Sequence, residues 1–189
     1  IIASYIHCII KFAKSGNILT VPVRSCAACG YLGCLHRHGC YTRNLITFSG
    51  CCQISIQRYK CPSCGKTCSV RPFFILPYFQ YSYFVVFAIL LQSFVFRYSY
   101  TRIVSIFLAL DSSSFISKSH ISFYCKRFKL CCPHIKVFLF FAGVFPDCSL
   151  TGSSEISTVL RSMIDFAGRG GDFPHDYHSS LHKFFMQKP

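Results

Sequence analysis

The chain has 189 residues, 20 Lys and Arg against six Asp and Glu, and a formal charge of +14, and its first acid is Asp111. That balance sets a positive surface potential that draws polyanions, nucleic acid first and an anionic membrane surface second. Fourteen Cys in a chain of this length do not fit a disulfide mini-scaffold, whose cysteines staple a domain too small to bury a core.

In chain order, residues 1–23 read as a lead-in segment, partly apolar, opening on Ile1 rather than Met as a fragment would. Its first ten residues hold His7 and Cys8 and lack a basic leader or a small-residue cleavage site. A cytoplasmic chain with reduced thiols is therefore expected. Residues 24–71 carry nine of the 14 Cys. Residues 53–60 alternate with period two, placing Ile54, Ile56 and Arg58 on one face of a half-exposed strand. Residues 45–48 are its candidate partner, with Ser49 and Gly50 at the turn.

Residues 72–80 form a Pro-bracketed connector. From Tyr81 the spacing turns helical, with a first helix ending near Arg97. A second covers 100–110, where Ile103, Phe107 and Leu110 share a face. Asp111 and the following serines predict a turn and cap. A third helix runs over 117–129, burying Ile121, Tyr124, Cys125 and Phe128, and it stops where Cys132-Pro133 predicts a break. A further apolar segment reaches residue 145. The sequence thus predicts an α+β fold: a small cysteine-rich β unit at 24–72, a helical region at 73–145, and a poorly ordered tail at 146–189 with room for a short helix at 156–166.

Cys26-Ala27-Ala28-Cys29-Gly30 and Cys61-Pro62-Ser63-Cys64-Gly65 are two copies of CxxCG. Two residues between cysteines let both sulfurs reach one ion, and the following Gly supplies the positive φ that closes the knuckle. Two knuckles give the four-sulfur tetrahedral set that Zn favours. Disulfides or unpaired core thiols are the competing account. A closed four-sulfur site has no open position and is structural rather than catalytic. Arg58, Lys60 and Lys66 surround the second knuckle and can contact a phosphate backbone, or serve only solubility. Cys34, Cys40, Cys51, Cys52 and Cys68 are alternative ligands without a second CxxC. His36 and His38 fit surface or loop roles better, and Cys131-Cys132 fits a buried pair.

The order of CxxCG, then His38-Gly39-Cys40-Tyr41-Thr42-Arg43, then the run from Ile54 through Thr67, then Ser69 and Pro72 to Ser82 resembles the zinc-ribbon domain at the front of bacterial transposase-like proteins, a domain of unknown function. The similarity covers roughly residues 24–130 and is most specific from Arg58 to Ser82. It implies a zinc ribbon followed by a helix-turn-helix that grips transposon-end or other DNA, with Cys26, Cys29, Cys61 and Cys64 as ligands. In such a motif 101–110 would be the supporting helix and 117–129 the recognition helix. Ser117, Lys118, Ser119 and His120 would enter the major groove, with Lys126, Arg127 and Lys129 against phosphates. The plainer account is an amphipathic helix with a solvated basic face.

No residue between Arg71 and Arg97 is charged, a run long enough to span a bilayer. Its prolines, glutamines, serines and tyrosines favour a buried helix packed on the ribbon. A small membrane protein with a cytosolic ribbon is the less favoured alternative, and a protein-interaction module is another. The acids Asp111, Asp147, Glu155, Asp165, Asp172 and Asp176 form no readable carboxylate set for metal-assisted strand transfer. No small-molecule substrate is evident, and a homo-oligomer is left open. DNA is the expected partner, and the expected function is DNA binding without a catalytic domain.

Overall fold

The computed structural model describes residues 23–72, 74–76, 79–110, 116–145, 152–181 and 186. The lead-in at 1–22 and the turn at 111–115 lie outside the described residues. The chain divides into two compact units, one of residues 1–45 and 51–72, the other of the hairpin tip Ile46–Gly50 and residues 73–189.

The first unit is built on a sheet of order β1-β2-β3, with β1 His36–Thr47, β2 Gly50–Lys60 and β3 Thr67–Ser69. β3 pairs antiparallel with β2, setting Arg58 opposite Ser69, Tyr59 opposite Cys68 and Lys60 opposite Thr67. Ile54 and Ile56 are buried, as the alternation predicts, and Arg58 is half-buried. Gln57 is buried too, because its Nε2 donates to the Gly39 carbonyl at 2.6 Å and to the Arg58 carbonyl at 2.8 Å. A buried amide is tolerated when such bonds replace its water. β1 begins at His36, nine residues before the predicted partner strand. Its first seven residues are all exposed, so hydrophobic alternation carries no trace of them. The short β3 was not predicted.

In the second unit, the hairpin tip joins the connector through Ile46 N–H to the Gln80 carbonyl, 2.8 Å, and Ser82 N–H to the Ile46 carbonyl, 2.9 Å. Helix α1, Tyr83–Leu90, is apolar all round and buries Tyr83, Val85, Val86, Ile89 and Leu90. Uniform hydrophobicity is what a helix enclosed on several sides requires. A π-turn at Leu91–Val95 follows, and the chain reverses at Arg97 with φ 54°. Helix α2 spans Tyr100–Leu110 and buries Ile103 and Phe107. Leu110 was expected on that face but is exposed.

Helix α3 spans Lys118–Phe141 and passes through Pro133 without a break. The predicted stop is therefore wrong. An interior proline costs about 3 kcal/mol relative to Ala. Each buried Leu, Ile or Phe contributes about 1.5–3 kcal/mol, and beyond Pro133 the helix buries Ile135, Phe138 and Leu139. Helices α4, Gly152–Gly168, and α5, Phe173–Leu181, fill more of the tail than the single short helix expected there. Val159, Leu160 and Met163 on α4 are fully buried. The Phe138 ring meets Phe166, Phe173 and Tyr177 edge-on, with centroids 5.4 to 5.6 Å away. Lys136 Nζ and Glu155 Oε1, 2.9 Å apart, add an ion pair between α3 and α4.

Phe138→Ala should cost about 3–5 kcal/mol in urea unfolding, whereas its exposed neighbour Val137→Ala should cost well under about 1 kcal/mol. Equal effects would show that α4 and α5 do not pack on α3.

Candidate metal centre

Each CxxCG folds into the same turn. Gly30 N–H reaches the Cys26 carbonyl at 2.9 Å, and Gly65 N–H reaches the Cys61 carbonyl at 3.0 Å. Each knuckle is then clamped from outside: Cys26 N–H donates to the Tyr31 carbonyl and Cys61 N–H to the Lys66 carbonyl, both at 2.9 Å. Gly30 has φ 72° and Gly65 φ 69°, and a Cβ at either would meet nothing within 4 Å. Backbone strain, not crowding, therefore reserves these positions for glycine.

The turns bring the four sulfurs of Cys26, Cys29, Cys61 and Cys64 within 4.8 Å of one another. Across the knuckles, Cys26 Sγ stands 3.7 Å from Cys64 Sγ and Cys29 Sγ 3.7 Å from Cys61 Sγ. A disulfide needs about 2.05 Å. A tetrahedron with metal–sulfur bonds of about 2.3 Å has edges of about 3.8 Å. The spacing is that of four ligands around one ion, and these residues fit a metal ion.

Cys26 and Cys61 are buried, and Cys29 and Cys64 face solvent. The inner side is closed by Leu35 and Tyr59, which pack with the two buried sulfurs in a small core edged by Val23, Tyr31 and Val70. Without a cation the four thiols cannot all hold a charge. The Ala28 N–H draws Cys26 down to about 7, against the effect of burial. At Cys64 the Lys66 N–H also lowers the pKa, yet burial and the other three sulfurs together push it up to about 11. A divalent ion removes this competition by taking all four as thiolates.

Cys68 stands beside the centre on β3, and burial, helped by the Cys26 and Cys61 sulfurs, raises its pKa. It does not join the four. Cys34, Cys40 and Cys51 are exposed and Cys52 half-buried, and among the described residues no other group of three or more His, Cys or acidic side chains converges. His36 and His38 are exposed on β1. Tyr59 and the Lys66 amide are the contributors missed in the sequence. Tyr59 lies out of phase with the Ile54 and Ile56 alternation, so the period-two pattern gave no sign of its burial.

The expected nucleic-acid residues fall in two groups, one in each unit. In the ribbon, Arg58 and Lys60 alternate with the buried Tyr59 and so share the opposite face of β2, Lys60 and Lys66 being exposed. Arg58 Nη2 donates to Thr67 Oγ1 at 3.3 Å. In the helical unit, Ser117 caps α3: its hydroxyl accepts from His120 N–H, while His120 Nδ1 accepts from Ser117 N–H, both at 3.3 Å. This is a capping box with His in the place of the usual Glu or Gln. Lys118, Lys126 and Lys129 are exposed; the Lys129 ammonium lies 5.7 Å from the Phe94 ring, and the half-buried Arg127 guanidinium 5.6 Å from the Phe123 ring. Of the six acids, Glu155 pairs with Lys136, and Asp176 accepts from the Asp172 N–H at the start of α5. Asp111 and Asp147 lie outside the described residues. No helix among those described is long and apolar enough to cross a membrane.

Residues 26–101 match the family model of a domain of unknown function, DUF6431. The match begins at the first sulfur of the cluster and takes in both knuckles, the hairpin, α1 and the π-turn. No curated protein matches the chain, and no solved structure does.

Because protons compete with metal for the thiolates, acidification should release the ion and alkali should favour uptake. Cys64→Ser should abolish metal retention, whereas Cys51→Ser should leave it at one ion per chain. Elemental analysis across a pH series, on both variants, checks this.

Proposed function

We propose that this chain is a zinc-dependent DNA-binding protein of transposase type, with no catalytic carboxylate set readable in its sequence. The observation that carries the proposal is the four-sulfur centre in a unit whose described residues include no acid. The same stretch of chain carries Arg24, Arg37, Arg43, Arg58, Lys60, Lys66 and Arg71. Thiolate-only donors in a tetrahedral set select zinc over the harder divalent cations, which prefer oxygen. Zinc there holds the fold rather than a substrate, since four protein ligands leave no open position.

In this reading Arg58, Lys60 and Lys66 take phosphates at the end of β2 next to the second knuckle. Lys118 at the start of α3, with Lys126, Arg127 and Lys129 along it, supplies a second set. Ser117 and His120 support the helix start by capping it, so base-edge contacts fall chiefly to the exposed Lys118 and Ser119. Phosphate contacts fix register on the duplex but read no sequence. The transposase assignment rests on the resemblance of the ribbon and connector, and the cationic composition supports the choice of ligand.

Duplex binding followed by fluorescence anisotropy over a salt series tests the proposal. Affinity should fall linearly on a log–log plot, and neutralising Lys60 and Lys66 to Gln together should flatten the slope by about two units, weakening all sequences alike. Removal of zinc by a chelator should abolish the ordered complex. Binding absent at low salt, or indifferent to salt, would sink the assignment while leaving the metal centre untouched.

A further inference from the structure

Helix α3 carries two stripes at heptad spacing. The inner one, Ile121, Phe128 and Ile135 with Cys125, Cys132 and Leu139, is the buried face. The outer one is Phe123, Leu130 and Val137, then Phe141, and these side chains are 46%, 61%, 51% and 82% exposed. Seven residues make nearly two helical turns, so the outer set runs as a narrow, almost straight seam about 27 Å long. A seam so narrow is the contact geometry of one helix against another. A helix lying in a lipid interface instead needs a broad apolar face.

The charges beside the seam select the occupant. Lys118, Lys126, Arg127, Lys129 and Lys136 are the five cations of α3, which contains no acid. Lys136 is held by Glu155. Lys126 flanks the seam on one side and Arg127 on the other, both between Phe123 and Leu130. A second copy of this helix would set like charges against each other, at a cost. The described acids of the chain, Glu155, Asp165, Asp172 and Asp176, lie on or beside α4 and α5.

We infer that the outer face of α3 docks an amphipathic helix of another protein, one whose apolar seam is bordered by Asp or Glu. Leu130 and Val137, one heptad apart, fill successive holes of that partner helix, as knobs at one core position of a coiled coil do. Its carboxylates meet Lys126, Arg127 and Lys129. Phe140, Phe141 and Phe145, in edge-to-face pairs of 5.9 and 5.4 Å, close the end of the seam. Lys126 and Arg127 are also proposed DNA contacts, but Leu130 and Val137 are not, so substitutions confined to that apolar pair let this inference fail separately from the DNA reading.

The test uses the full metal-loaded chain and three probes. One is a synthetic helical peptide with Leu at its a and d positions and Glu at e and g; another is the same peptide with Lys at e and g; the last is a phosphatidylserine vesicle. The acidic peptide should bind saturably, one per chain, and the lysine peptide should not. The double variant Leu130→Gln, Val137→Gln should weaken acidic-peptide binding at least tenfold at unchanged Tm, since both side chains are exposed. Equal binding of both peptides, or of neither, would overturn the inference. So would vesicle binding or self-association in sedimentation that the double variant abolishes while peptide binding persists.

Discussion

Four sulfur atoms, drawn from turns more than 30 residues apart, hold the first unit to one geometry because little else in it can. Its buried core around the site is Cys26, Leu35, Tyr59 and Cys61, and two of those four are themselves ligands. A unit this small buries too little apolar surface to fold firmly by hydrophobicity alone. The knuckle hydrogen bonds pre-shape each half, the small core of Leu35 and Tyr59 sets the halves side by side, and an ion bound by all four sulfurs would lock them together. The opposed pKa shifts at Cys26 and Cys64 describe the same constraint from the side of the protons.

The helical unit is held by a different force. It is dense in aromatic rings, and a ring such as Phe138 satisfies three neighbours at once through edge-on contacts that add about 0.5–1.5 kcal/mol per pair beyond burial. Such packing tolerates local faults. Pro133 removes one helical hydrogen bond on the exposed side of α3, and the buried face on either side carries the helix across it. The π-turn before Arg97 is another such fault, widening the helix by one residue just where the chain must reverse.

What could be read in advance follows from this division. The knuckles were legible because CxxCG encodes a local geometry complete within five residues, down to the glycine. Helix α2 was legible to its end residues, and Ser117 was correctly placed at the start of α3, because both depend on short-range periodicity and capping. The opening of β1 was not, since residues 36–42 face solvent on both sides and owe their strand form to pairing with β2 and to Gln57. The continuation of α3 past Pro133 was not legible either. A local breaker lost there to long-range partners, Phe166, Phe173 and Tyr177, that no window around the proline contains. The convergence of the two knuckles on one point, all four sulfurs within 4.8 Å of one another, likewise needs the fold.

One consequence concerns the sign of the field around the ribbon. Four thiolates about a divalent ion leave a net of about two negative charges, the sole anionic centre among the described residues of a unit otherwise lined with guanidinium and ammonium groups. Losing the ion lets protons replace it, and that counter-charge vanishes. The stripped ribbon is then more cationic than the loaded one, and if the proposed function holds it should still attract polyanions, but with the knuckle beside Lys60 and Lys66 no longer held in shape. Stickiness toward nucleic acid would thus outlive any orderly grip on it.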